Sequence, residues 1–134
     1  MTNNTHFENK RSFFDDGNTL PLDFRIDQLK RLKKVILEKE TQVEEALYSD
    51  LRKSKTESLV TEISFVISEI DYTCKYLKEW MEPERKSTPL ALLPSSSKVH
   101  YNPKGVVLIV SPWNYPFLLA LSPLIMAILL GYLR

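Results

Sequence analysis

Gly105-Val-Val-Leu-Ile-Val-Ser-Pro-Trp-Asn-Tyr-Pro-Phe117 is the stretch that decides the fold. Its first half, from Val106 to Val110, is an unbroken run of β-branched and leucine side chains. A short apolar run bounded by turn residues predicts a strand buried on both faces, as in a parallel sheet. Ser111-Pro112 breaks the run. Pro116 suits the first position of a helix, where a missing N–H costs nothing. From Phe117 to Leu130 no residue is charged, and Gly131 follows. A helix apolar on every side must be buried, and Pro123 within it removes an internal hydrogen bond and predicts a bend. Strand, tight turn and helix together predict an α/β fold whose turn offers backbone N–H groups to an anionic or nucleotide ligand.

Toward the N-terminus the chain changes character. Glu82 to Ser97 holds Pro83, Pro89, Pro94 and four serines, which predicts an extended connection. Val99 and Tyr101 alternate with polar neighbours and predict a short strand. Before Pro83, the series Leu59, Ile63, Val66, Ile67, Ile70, Cys74, Leu77 and Met81 keeps a helical period, with Ser54 or Thr56 as its N-cap. Between Phe24 and Lys53, the positions Leu29, Leu32, Ile36, Val43, Leu47 and Leu51 describe one helical face, interrupted by the solvated Glu38-Lys39-Glu40-Thr41-Gln42. The N-terminus is polar. Its first ten or so residues are expected to be poorly ordered, and the lack of an apolar run argues against a secretory leader. These features divide the chain into a flexible arm (1–20), a helical segment (21–82), an extended linker (83–98) and the beginning of a ligand-binding domain (99–134).

Composition narrows the functions available. The chain has 134 residues with 18 basic and 17 acidic side chains, a net charge of +1, which gives no broad attraction to nucleic acid. One cysteine and two histidines exclude an internal disulfide and make no structural zinc set. With only three glycines, the sequence contains neither GxGxxG nor GxxxxGK[ST]. The absence of disulfides and of a leader implies a cytoplasmic setting. His6 and His100 stand alone in sequence, and Cys74 lies on an apolar helical face, where nothing nearby activates a thiol.

One polar side chain in the decisive turn has chemical reach. An amide NH₂ held rigidly at Asn114 can donate to a developing oxyanion, an interaction often worth about 3–4 kcal/mol. An asparagine in a turn can equally serve turn geometry alone.

Pro103 to Phe117, followed by Pro123-Leu-Ile-Met-Ala-Ile128 and Gly131, resembles the NAD(P)-dependent aldehyde dehydrogenase superfamily. Phe14-Asp-Asp-Gly-Asn-Thr19, Phe24-Arg-Ile-Asp-Gln-Leu29, Ala46 to Ser54, Glu62-Ile63 and Leu77-Lys-Glu-Trp-Met81 resemble its class 3-like branch. The resemblance implies that Asn114 is the catalytic asparagine that helps hold the substrate oxygen while a cysteine thiolate attacks the aldehyde. It implies that Val110, Ser111, Pro112 and Trp113 form the strand end and turn against the nicotinamide cofactor, NAD or NADP, and that Tyr115 lies near the aldehyde pocket. Ser111 departs modestly from the small residue, often glycine, usual there. A homodimeric parent enzyme is implied as well. The ribose-binding lysine and glutamate, the pyrophosphate turn, the general-base glutamate and the nucleophilic cysteine of the pattern are absent. The resemblance therefore implies an N-terminal part of the enzyme, inactive alone. With much of the last helix wet and the strand unpaired, it is expected to be insoluble or molten in isolation.

Two other readings compete. The uncharged segment 105–133 is long enough for a C-terminal membrane anchor, with Trp113, Tyr115 and Tyr132 as interfacial aromatics. Pro112, Asn114, Pro116 and Pro123 argue against it. A helical interaction module built on the charged residues 24–81 is the weaker alternative.

Overall fold

The computed structural model describes residues 2–103 and 105–131. Six α-helices and one small hairpin follow in the order α1 (Thr2–Asp15), α2 (Leu22–Glu38), α3 (Glu40–Leu51), α4 (Lys55–Ser58), α5 (Ser64–Trp80), β1 (Glu84–Lys86), β2 (Ser97–Val99) and α6 (Pro116–Leu129). Helices α2, α5 and α6 pack on one another around Leu29, Ile36, Ile63, Val66, Ile70, Leu77, Ile125 and Ile128. Each large aliphatic side chain sealed there stabilises the fold by about 1.5–3 kcal/mol.

The apolar period read between Phe24 and Lys53 belongs to two helices. The chain breaks at Lys39, whose backbone (φ −111°, ψ 12°) leaves the helical region. The break falls inside the largely exposed Glu38–Gln42 stretch. Helix α3 ends at Arg52 in the left-handed region (φ 57°). Ser54 caps the next helix, its Oγ accepting from the Glu57 N–H at 3.2 Å. Between α4 and α5, Leu59–Ile63 forms a π-helical turn. The extra residue of such a turn changes the phase of the helix.

Three expectations are corrected. Residues 2–15 of the expected flexible arm form the helix α1, although residues 5–12 are exposed, and Phe13 meets Phe24 of α2 with ring centroids 5.9 Å apart. The linker 83–98 is folded back on itself, with Glu84, Arg85 and Lys86 pairing antiparallel with Val99, Lys98 and Ser97. The short strand expected at Val99 and Tyr101 thus lies at Ser97–Val99, and Tyr101 falls outside it. Finally, Gly105–Val110 forms no strand among the described residues, and Leu108 and Val110 are 88% and 84% exposed. A central strand is defined by neighbours on both edges, and the described residues supply none.

Helix α6 starts at Pro116, as its sequence predicts, and runs unbroken through Pro123. Its 14 residues span about 21 Å, short of the ~30 Å of a bilayer core. Among the described residues no helix is long and apolar enough to cross a membrane. The anchor reading is not favoured, because the non-helical turn before Pro116 divides the uncharged segment among the described residues.

Candidate functional site

Helix α6 is held at both ends by buried charges from the helical body. At its C-terminal end, Arg25 of α2 donates from Nη1 to the Leu129 carbonyl and from Nε to the Thr19 carbonyl, both at 2.9 Å. The Thr19 hydroxyl donates to the Gly131 carbonyl at 2.8 Å. A cation at this end complements the helix dipole. Gly131 has φ +76°, and a Cβ there would lie 2.7 Å from the guanidinium, so the close approach requires glycine.

At the N-terminal end the partner is Glu62, fully buried in the π-helical turn. Its Oε2 accepts the backbone N–H groups of Phe117 and Leu118 at 2.9 and 3.2 Å. Its Oε1 pairs with the Nζ of Lys53, also buried. Lys53 Nζ reaches onward to the Asn114 carbonyl at 3.3 Å and lies 3.8 Å from the centre of the Tyr115 ring. Carboxylate, ammonium, backbone carbonyl and aromatic ring thus form one chain of contacts that fastens the turn to the body. The left-handed residue Arg52 reverses the backbone immediately before Lys53.

This geometry revises the chemistry expected of the turn. The first free N–H groups of α6 do not await an anionic ligand, because Glu62 of the same chain already occupies them. What the turn presents outward is a set of exposed side chains. Val110, Ser111, Pro112, Trp113, Asn114 and Tyr115 are all exposed, Trp113 to 86%. The six residues singled out by sequence are contiguous on this edge.

Sequence reading places Lys53 and Glu62 only within stretches that resemble the class 3-like branch and gives neither a role. A signal exists for Glu62: it lies four and eight residues before Val66 and Ile70, on their apolar stripe, where a carboxylate demands a partner. Cys74 packs against the core from α5, and burial pushes its thiol pKa up, so it stays protonated near neutrality.

Comparison with known proteins now decides what this turn belongs to. The model of the aldehyde dehydrogenase family matches residues 5–132. The chain belongs to the aldehyde dehydrogenase family. The 4,4'-diaponeurosporen-aldehyde dehydrogenase of Staphylococcus aureus is 42% identical over 125 residues, covering 93% of this chain and 27% of that protein. Family 3 member I1 of Arabidopsis thaliana, chloroplastic, is 44% identical over 121 residues, with coverage of 90% and 22%. The dimeric NADP-preferring aldehyde dehydrogenase of Mus musculus is 38% identical over 132 residues, with coverage of 98% and 29%. A solved substrate-bound structure of Staphylococcus aureus AldH superposes with a TM-score of 0.93 at 41% identity, over 96% of this chain and 28% of that one. The chain therefore spans between a fifth and a third of the length of these relatives. The helical body and the turn leading into α6 keep the family's fold within that share.

Proposed function

We propose that this chain forms the N-terminal part of a class 3-like aldehyde dehydrogenase site, in which an aldehyde is oxidised to a carboxylate with NAD or NADP as hydride acceptor. The observation that carries the reading is the exposed Val110–Tyr115 edge with the backbone of Asn114 fastened from behind by Lys53. An amide whose own peptide is fixed, at an open edge, suits a donor that must meet a developing oxyanion without reorganising.

The exposed residues fit one wall of a dinucleotide site. Val110 and Trp113 offer apolar surface, with the Ser111 hydroxyl beside them. When bound, the dinucleotide supplies the hydride acceptor. Asn114 is assigned the oxyanion contact, and Tyr115 the edge of the aldehyde pocket. Glu62 and Lys53 hold the turn that carries both. The chain has no nucleophile of its own for the reaction, since Cys74 is seated on the core with its thiol pKa raised by burial. Turnover thus needs the catalytic part present in the longer relatives. A homodimeric assembly and a reducing, cytoplasmic compartment belong to the same proposal.

The test joins this chain, through Gly131, to the part of the Staphylococcus aureus relative that follows its matching segment. Aldehyde-dependent reduction of NAD or NADP by the joined protein, and none by the chain alone, supports the reading. Asn114→Ala should lower kcat about 10²- to 10³-fold. Equal activity of Asn114→Ala and the unsubstituted protein would remove Asn114 from the chemistry.

A further inference from the structure

We propose that Lys53 is a positioning residue for Asn114, setting the orientation of its amide through the peptide and ring on either side of the turn. The inference rests on the reading of Asn114 given above. Lys53 approaches the turn at two points, the Asn114 carbonyl at 3.3 Å and the Tyr115 ring at 3.8 Å. It cannot swing away, because its ammonium is buried against Glu62. Glu62 in turn is fixed by two N–H groups of α6, so the helix start, the carboxylate, the ammonium and the Asn114 carbonyl form one connected unit. Tyr115, the N-cap residue of α6, makes no side-chain cap hydrogen bond, and Glu62 Oε2 accepts the N–H groups of Phe117 and Leu118 in its place.

The distances assign the orientation to a point charge rather than to packing. An uncharged chain of equal length in place of Lys53 would still fill the space, but would leave the Asn114 carbonyl and Glu62 Oε1 without their shared donor. The peptide plane at Asn114 would then be free to tilt, and the exposed amide would move with it. Misplacement of a catalytic group by about 1 Å can cost on the order of 10²-fold in rate.

The experiment uses the full chain and the joined protein described above, each with Lys53→Met and Lys53→Arg. In the joined protein, Lys53→Met should lower kcat about 10- to 100-fold with the KM for NAD or NADP unchanged, and Lys53→Arg should restore most of the loss. Hydrogen exchange should quicken at residues 113–118 in Lys53→Met while the amides of α5 keep their protection. An unchanged kcat, or a fall that Lys53→Arg does not relieve, would overturn the proposal. Unchanged exchange at 113–118 would overturn it as well. If Asn114→Ala is as active as the unsubstituted joined protein, the reading of Asn114 fails, and the Lys53 proposal falls with it. If Asn114→Ala is impaired and Lys53→Met is not, Lys53 alone is refuted. If the joined protein shows no activity, exchange at 113–118 in the joined protein still decides whether Lys53 holds the turn.

Discussion

The helical body and the segment before α6 both carry runs of large apolar side chains, and these meet opposite fates. In the body, Leu29, Ile63, Val66, Ile70 and Leu77 are all sealed from solvent. In the segment, Leu108 and Val110 remain 88% and 84% exposed. The difference lies in where each kind of structure finds its partners. An amphipathic helix closes its backbone hydrogen bonds within itself and needs only a face to pack against, which α2, α5 and α6 give one another. A strand buried on both faces needs edges and faces supplied by other strands and helices. The body can therefore take its shape from helices packed on one another, whereas the decisive turn draws its order from the body behind it.

The sharpest way to break this contrast is at the junction. Glu62→Ala strands the Lys53 ammonium in a buried site and removes the acceptor of two α6 N–H groups. Breaking a buried ion pair from one side costs about 3–5 kcal/mol. Hydrogen exchange of the joined protein should show α6 opening more readily by that amount; protection of Phe117 and Leu118 equal to the unsubstituted protein would contradict it. Next comes a matched pair of substitutions. Ile70→Ala, at a fully buried site, should destabilise the body by about 2–5 kcal/mol. Leu108→Ala, at an exposed one, should change the exchange of the body by no more than about 0.5 kcal/mol. Comparable losses from the two would mean that the segment is packed after all.

What the sequence made legible follows the same division. The helical stripes, the Ser54 cap, the start of α6 at Pro116 and the contiguity of Val110 to Tyr115 all rest on local chemistry, and they are present. The break at Lys39 was visible only as a polar gap, because period alone cannot say whether two stripes lie on one axis. The run at 105–110 forms no strand among the described residues, because its pattern records burial that needs other segments. The charged residues that organise α6 were hidden by their setting. Arg25 lies four residues before Leu29, and Glu62 four before Val66, each on an apolar stripe. A charge in such a place is paired or it is not tolerated, but the sequence does not say with what. Arg25 closes one end of α6 and Glu62 the other, across separations of 104 and 55 residues.

The C-terminal end of α6 offers a smaller effect with a distinct signature. Gly131→Ala places a Cβ 2.7 Å from the Arg25 guanidinium at a backbone with φ +76°. Strain of this kind costs on the order of 1–3 kcal/mol. The loss should appear as faster exchange at Leu129 to Gly131, with Phe117 and Leu118 unchanged, because Glu62 holds the other end independently. Loss of protection at both ends would show that the two clamps act as one.

The smallest effect concerns the body alone and uses Cys74 as a reporter. Burial on α5 is the main influence raising its thiol pKa; Lys30 and Lys33 oppose the rise and Asp71 adds to it. A thiol whose pKa is higher folded than unfolded favours the folded state at low pH. That contribution is complete below the unfolded value, about 8.5, and is lost as pH rises through the folded one. Alkylation by iodoacetamide follows the thiolate, so at pH 8 it should be slower in the folded joined protein than in the same protein unfolded in urea. The two rates should converge as pH climbs beyond the folded pKa. Equal rates at pH 8 would show that α5 opens freely around Cys74, and the contrast between a closed body and an open segment would then lose its closed half.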